Sequence, residues 1–203
     1  MRLWEAFQRL VAVLLLAPAS LIVLPFAVLI QIRSPGPLFN ISLREGRGGV
    51  EFRMLKVRTM VPDADSRLAA ILSEDAAANE QWQRYGFITS DPRIAGRAAR
   101  FARHLSIDEL PQLLNVVSGD MALVGPRPLP AAIAQSMAPR HLSVRRELKP
   151  GMTGLWQVSG RSLLSIRGMG RLDNHYVSHR SIGLDIAILL RTFAVVVRGV
   201  GAF

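Results

Sequence analysis

Two adjacent carboxylates, Asp108 and Glu109, stand where a helix is expected to begin, with Arg103 just upstream and a Gly125-Pro126-Arg127-Pro128 turn beyond the helix. These are the elements of phosphate chemistry: an acid able to attack phosphorus or hold a metal, guanidinium groups for phosphoryl oxygens, and a helix N-terminus that favours negative charge. Neighbouring carboxylates raise each other's pKa unless a cation intervenes. A divalent ion and arginines resolve that conflict, and Mg²⁺ takes one or two carboxylates together with phosphate oxygens. A carboxylate that attacks phosphorus gives an acyl phosphate and divides one transfer into two steps. Arg103 and Arg127 are the nearest cations to neutralise the phosphoryl oxygens.

The same residues admit a purely structural explanation. Ser106-Ile107-Asp108-Glu109 fits a capping box, with Ser at the N-cap and Glu at N3. In that register Pro111 falls at N5, where its ring strikes a helical carbonyl. The helix is therefore expected to start near Asp108, with that residue at or close to the N-cap. Leu110, Leu113, Leu114 and Val117 then form one apolar stripe, and Ser118-Gly119 ends the helix. A basic membrane-binding module whose Asp108 only caps a helix is the competing reading. Asn caps about as well as Asp, so Asp108→Asn separates the two.

Other elements must bring further groups to the dyad. Leu38 to Arg44 alternates, with Phe39, Ile41 and Leu43 on one face. Glu45 to Gly49 is turn chemistry, and Val50, Phe52 and Met54 alternate with Glu51 and Arg53, which predicts a β-hairpin. The hairpin runs into Lys56-Val57-Arg58-Thr59-Met60. Lys56 and Arg58 are thus candidate substrate-binding cations, although such residues also guard exposed strand edges. Asp63 to Arg84 is helix-like after Pro62, and Asp91-Pro92-Arg93 is a turn. Ile94 to Leu105 is basic and amphipathic, a pattern suited to a membrane surface. The Gly-, Ser- and Thr-rich loop Pro150 to Arg161 carries Trp156, Gln157 and Arg161; Gln157 and Arg161 join the substrate-binding candidates. Leu184 to Val197 is a strongly apolar helix or strand interrupted by Arg191.

The segment Leu10 to Ile30 is almost unbroken in its apolarity. As a helix it is about 31 Å long, enough to cross a bilayer. A cleaved leader at Ala17-Pro18-Ala19 fits poorly, because the apolar run continues beyond it. A spanning helix and a re-entrant hairpin both remain. Basic residues flank both sides (Arg2 and Arg9 before, Arg33, Arg44, Arg47 and Arg53 after), and positive charge marks the cytoplasmic face, which favours the hairpin. Pro18 removes a backbone hydrogen bond near the middle, Pro25 adds a second break, and Ser20 is placed to satisfy a freed carbonyl.

Composition narrows the classes. The chain of 203 residues carries a net charge of +10, and nearly all of its 25 basic residues are Arg, whose fork suits phosphate. Arg-rich composition alone would give the same count. The lack of cysteine excludes a disulfide scaffold, a thiolate zinc site and a Cys nucleophile. The four histidines show no metal-ligand spacing. The absence of a P-loop or GxGxxG pattern argues against an ATP-driven or dinucleotide enzyme. Few aromatics and a membrane segment argue against a nucleic-acid partner.

The order of motifs resembles the bacterial sugar transferases, small monotopic phosphoglycosyl transferases that start glycan assembly on polyprenyl phosphate. The likeness runs from the broken hydrophobic segment through SPGPLF (34–39), KVRTM (56–60), DPRI (91–94), LSIDELPQLLNVVSGDMALVGPRPL (105–129), KPGMTGLWQVSGR (149–161) and LDNHYV (172–177). The fold expected is α+β, mainly helical with a small β-hairpin. Residues 1–32 would form a membrane-embedded re-entrant helix, and 33–203 a cytoplasmic catalytic domain with interfacial amphipathic helices, at the bacterial inner membrane. The resemblance implies transfer of a sugar 1-phosphate from a UDP-sugar to undecaprenyl phosphate, releasing UMP, at the first membrane step of exopolysaccharide, O-antigen, capsule or glycoprotein glycan synthesis. It implies a covalent phosphosugar on Asp108, a Mg²⁺ held at the Asp108-Glu109 dyad, Arg103 as a matching cation, and a helix break at Pro18. Membrane lipids join the expected partners, and a homodimer stays open. Departures are Ala17 where the family has Ser, Ser42-Leu43-Arg44-Glu45-Gly46 for Gln-x-Arg-x-Gly, and Lys56-Val57-Arg58 for Lys-Phe-Arg.

Overall fold

The computed structural model describes residues 2–135, 137–160 and 164–198. In chain order the elements are α1 (Arg2–Arg33), β1 (Phe39–Glu45), β2 (Glu51–Val57), α2 (Ala64–Glu74), α3 (Ala76–Tyr85), α4 (Gly96–His104), a 3-10 segment (Ile107–Gln112), α5 (Leu113–Ser118), β3 (Ala122–Val124), α6 (Ala131–Gln135), α7 (Pro139–Arg145), β4 (Gly151–Thr153), α8 (Leu155–Val158), α9 (Ile166–Ser178) and α10 (Ile182–Arg198). The architecture is mainly helical, with the expected antiparallel β1–β2 hairpin. It also contains a short parallel β3–β4 pair that the sequence did not suggest.

The apolar N-terminal run forms one 32-residue helix that continues through Pro18 and Pro25. By length and composition Leu3–Arg33 is long and apolar enough to cross a membrane. Gln8, Ala12, Ala19, Val23, Ala27 and Ile30 are buried, while Leu3, Leu10, Leu14, Leu21 and Ile32 are exposed. The buried residues recur at steps of three, four or seven positions and so make one stripe. Three of them are alanines, whose small side chains let the helix backbone approach the rest of the protein. Ala12 and Ala19 pack with Leu113, Met121, Tyr176 and Ile188; Val23, Ala27 and Ile30 pack with Val57, Ala99 and Ala102. α1 therefore shares its core with the remainder of the chain along its length.

Polar contacts fasten both ends of α1. Trp4 Nε1 donates to Asp185 Oδ2 at 2.7 Å, and the Leu123 amide donates to Gln8 Oε1 at 2.8 Å. At the other end Arg58 uses all its N–H groups. Nε donates to the Pro37 carbonyl at 2.6 Å. Nη1 donates to Ser34 Oγ at 3.0 Å and the Met60 carbonyl at 3.1 Å. Nη2 reaches Gln31 Oε1 and the Ser34 carbonyl. A guanidinium has five such donors, so Arg58, expected to bind substrate, is committed to the turn that leaves α1. Ser20 also differs from expectation. Its hydroxyl donates to the Ala17 carbonyl at 2.7 Å, not to the Leu14 carbonyl that Pro18 leaves without its helical donor.

The helix-like stretch 63–84 is two helices. Asp75 divides them and caps the second, accepting from the Ala77 and Ala78 amides at 2.9 and 3.0 Å. The strand face bearing Phe39, Ile41 and Leu43 points outward, and Leu43 is 58% exposed. The facing residues Ser42, Arg44, Met54 and Lys56 turn toward the domain, and Met54 is buried.

Removing the Arg58 clamp leaves several backbone carbonyls unpaired. Arg58→Met is expected to lower stability by about 3 kcal/mol, measured by chemical unfolding in detergent micelles. Arg58→Lys should recover only part of the loss, because a point charge cannot reproduce the fork.

Candidate active site

The hairpin register supplies one wall. Asn40 pairs with Lys56, Ser42 with Met54 and Arg44 with Phe52, so Arg44 and Lys56 share the inward face. Asn115 of α5 fixes this strand from behind. Its Oδ1 accepts from the Leu55 amide at 3.0 Å and its Nδ2 donates to the Arg53 carbonyl at 2.8 Å. A side-chain amide here completes the strand's open edge and holds β2 so that Lys56 meets Glu109 of the dyad.

The dyad enters through Ser106, a non-glycine residue in the left-handed region (φ 55, ψ 24). Such a conformation is uncommon and costs free energy of roughly 1 kcal/mol or more. Ser106 is the N-cap, but its side chain makes no capping bond. The helix thus starts before Asp108, and Asp108 is not its cap. The objection from Pro111 fails because Ile107–Gln112 winds as a 3-10 helix and the α-helical ladder begins only at Leu113. Tighter winding moves the carbonyl that the proline ring would strike in an α-helix.

Asp108 is 5% exposed. Burial pushes its carboxyl pKa up, aided by the adjacent Glu109 and opposed by Lys56, Arg103 and Arg127. Lys56 Nζ lies 2.6 Å from Glu109 Oε1, and Arg127 Nη2 lies 3.2 Å from the same oxygen. Arg103 Nη1 reaches Thr59 Oγ1 at 3.4 Å, close enough for its charge to act on Asp108. Arg127 stands over the Trp156 ring, 5.5 Å from its centroid, and its carbonyl accepts a hydrogen bond from Arg145. Trp156 therefore belongs to the core and also carries a site cation. The turn holding Arg127 needs the close approach of two glycines, since a Cβ at Gly151 would overlap the backbone of Gly125.

The structure thus brings together Asp108, Glu109, Lys56, Arg103 and Arg127. Gln157 is buried nearby, its Nε2 only 3.5 Å from the Met152 carbonyl and its Oε1 without a partner, a state that marks a place for a ligand or water. Arg58 is elsewhere, as described, and Arg161 lies outside the described residues. Sequence reasoning missed Arg44. Its pKa is lowered to about 10 by burial and then by Arg127, against the pull of Glu109. It also missed Asp173, whose carboxyl is pushed up to about 7 by burial, against Arg145 and Arg127, and which stands 3.7 Å from Arg145 Nη1. Arg44 shares a face with Lys56 by alternation, the signal that could have found it. Among the described residues no group of three or more His, Cys, Asp or Glu is placed to hold a metal ion.

A model of the family described as bacterial sugar transferase matches residues 2–199. The UDP-galactose-lipid carrier transferase of Erwinia amylovora is 41% identical over 202 residues, covering 100% of this chain and 41% of that protein. The exopolysaccharide production protein ExoY of Sinorhizobium fredii is 35% identical over 202 residues, covering 98% of this chain and 87% of that protein. The undecaprenyl-phosphate galactose phosphotransferase of Salmonella typhimurium is 40% identical over 171 residues, covering 84% of this chain and 36% of that protein. The chain therefore spans less than half the length of the Erwinia and Salmonella relatives and most of the Sinorhizobium one. With the match running from α1 to the end of α10 and the dyad lying inside it, this protein belongs to the bacterial sugar transferase family.

Proposed function

We propose that the protein transfers a sugar 1-phosphate from a UDP-sugar to undecaprenyl phosphate, in the assembly of an exopolysaccharide or related glycan. The observation that carries this is a buried Asp108 beside Glu109, with Lys56, Arg103 and Arg127 close enough to act on its charge. The printed names of the relatives, UDP-galactose-lipid carrier transferase and undecaprenyl-phosphate galactose phosphotransferase, support the donor and acceptor classes.

In the first step an Asp108 oxygen attacks the phosphorus that bears the sugar. The bond from that phosphorus to the bridging oxygen breaks, and UMP leaves with the electron pair. In the second step an oxygen of the acceptor phosphate attacks the same phosphorus, and the acyl-phosphate P–O bond breaks. The carboxylate is restored and a diphosphate-linked sugar leaves. Arg103, Arg127 and Lys56 neutralise the phosphoryl oxygens as charge develops. Two carboxylates without a third protein ligand fit Mg²⁺, which leaves its other positions to water and phosphate oxygens. Bound at the dyad it supplies positive charge for the diphosphate.

A one-sided membrane placement accompanies this reading. α1 is fastened to the same domain near both ends, through Trp4 and Gln8 and through Gln31 and Ser34. An upright crossing would draw that polar domain into the bilayer. A re-entrant or in-plane α1, with its exposed leucines in lipid and α4 at the interface, keeps the domain on the cytoplasmic face.

Purified protein incubated with undecaprenyl phosphate and a panel of UDP-galactose, UDP-glucose and UDP-N-acetylhexosamines should release UMP from at least one donor, with Mg²⁺ required. No release from any donor rejects the reading. Asp108→Asn should fold normally and lose activity by roughly 10³-fold or more, with no adduct at position 108 in quenched enzyme by mass spectrometry.

The pH dependence has a definite sign. Attack needs the ionised carboxylate, and burial raises the Asp108 pKa. kcat/KM should therefore rise with pH through a value above the ordinary carboxylate range near about 4. Because the folded protein holds this proton more tightly than the unfolded chain, stability falls over the same interval as pH rises. Lys56 pulls the pKa down, so Lys56→Met should move the acid limb of the rate profile to higher pH. An acid limb that stays in place removes Lys56 from the field acting on Asp108.

A further inference from the structure

α7 and α9 meet through a glycine and a set of polar side chains. A Cβ at Gly170 would lie 3.1 Å from His141 Cγ, tighter than ordinary contact, so the glycine lets the two helices approach closely. His141 and Arg145 stand one turn apart on α7, and Gly170, Asp173 and Asn174 share one face of α9 by their spacing. His141 Nδ1 is 2.7 Å from Asn174 Nδ2. One turn further along α7, Arg145 Nη1 is 3.7 Å from Asp173 Oδ2. Both members of this ion pair are buried, Asp173 to 1% exposure.

Each member depends on the other. Arg145 Nη1 points to Met137 Sδ at 3.3 Å, a weak acceptor, and Nη2 donates to the Arg127 carbonyl. Asp173 Oδ2 accepts no hydrogen bond. Burial pushes the Arg145 pKa down, against the pull of Asp173 and Glu45 and together with Arg146. Burial also pushes the Asp173 carboxyl up to about 7, against Arg145 and Arg127. Removing one partner of a buried pair leaves the other charge uncompensated, and Arg145 would then turn toward water. The pair reaches the dyad through the backbone of Arg127, whose guanidinium stands over Trp156 and 3.2 Å from Glu109 Oε1.

We propose that Asp173 is a positioning residue for Arg127. Its charge keeps Arg145 turned toward the Arg127 carbonyl, and the held backbone keeps the Arg127 guanidinium aimed at Glu109. Asp173 itself touches neither substrate nor the reacting phosphorus. The inference rests on the transfer reaction proposed above and adds how one of its cations is aimed. The contact between α7 and α9, which contains no member of the dyad, is on this account part of the catalytic apparatus.

Asp173→Asn keeps the shape of the side chain and removes its charge. It should lower kcat roughly tenfold while KM for the UDP-sugar changes by less than about threefold. Arg127→Met should lower kcat/KM by about 10²-fold. In the Arg127→Met background Asp173→Asn should cost less than about twofold more, whereas in an Arg103→Met background it should keep its full factor, because residues that act through one another are not additive. Folded variants with equal losses in both backgrounds, or with no loss in kcat, reduce Asp173 to a packing residue and overturn the proposal while leaving the transferase reading standing. Wild-type protein that turns over no donor overturns the transferase reading and this inference with it. Should Asp173→Asn not fold, otherwise unaltered protein with ¹⁵N-labelled arginine side chains is titrated in micelles through pH 7, and again as His141→Gln so that the histidine on α7 does not report instead. The Nε–H signals of Arg145 and Arg127 should move together as Asp173 gains its proton. An Arg127 signal that stays while that of Arg145 moves, or no movement of either, overturns the proposal.

Discussion

A carboxylate taken out of water is costly unless positive charge stands close by, and that constraint organises this protein. Asp108 is buried and has Glu109 beside it, so two negative charges compete for one small space. Lys56 and Arg127 converge on a single oxygen of Glu109, which lessens the repulsion without consuming the Asp108 carboxylate. The cations come from separate parts of the chain: Lys56 from β2, Arg103 from α4 and Arg127 from the turn after β3. Each is held in turn by its own support. Asn115 grips the backbone on both sides of Met54, Thr59 receives Arg103, and Trp156 with Arg145 steadies Arg127. Moving any of these supports changes the field at Asp108, so the packing of distant elements and the acidity of one side chain are coupled.

α1 belongs to this arrangement. A hydrophobic N-terminal segment is easily regarded as a detachable anchor, but here its alanine stripe closes two of the core clusters. Gln8 Oε1 accepts from the amide of Leu123, the middle residue of β3, which leads into the Arg127 turn. The guanidinium of Arg58 ties the end of α1 to the end of β2, the strand that carries Lys56. The position of α1 is thereby transmitted to the site through two short covalent paths, from Leu123 to Arg127 and from Arg58 to Lys56. Displacing α1 would open the core.

What was legible in the sequence was what depends on neighbours along the chain. The hairpin followed from alternation and a glycine turn, and the dyad with Arg103 and Arg127 from local charge and helix signals. What was not legible depends on contacts across the chain. Alternation showed that Phe39, Ile41 and Leu43 share a face, but not that this face looks outward and places Arg44 inside. The basic strand end contains both Lys56 and Arg58, and nothing local says that one meets Glu109 while the other meets the carbonyls of Ser34, Pro37 and Met60. Asn115 reads as an ordinary helix residue until β2 lies against it. The start of the dyad helix was misplaced because an α-helix was assumed, whereas the chain uses a left-handed Ser106 and a 3-10 turn to carry Pro111.

The strained entry has a consequence for how the dyad is presented. With three residues per turn, neighbouring side chains of a 3-10 segment point about 120° apart, so Asp108 and Glu109 at its start have different surroundings, the first buried and the second partly exposed. Directly after Ser106, Ile107 packs into the core shared by α1 and α4. The apolar residue before Asp108 and the polar residue after it therefore act together: Ile107 anchors the turn in the core, and Glu109 holds the cations that make a buried Asp108 tolerable.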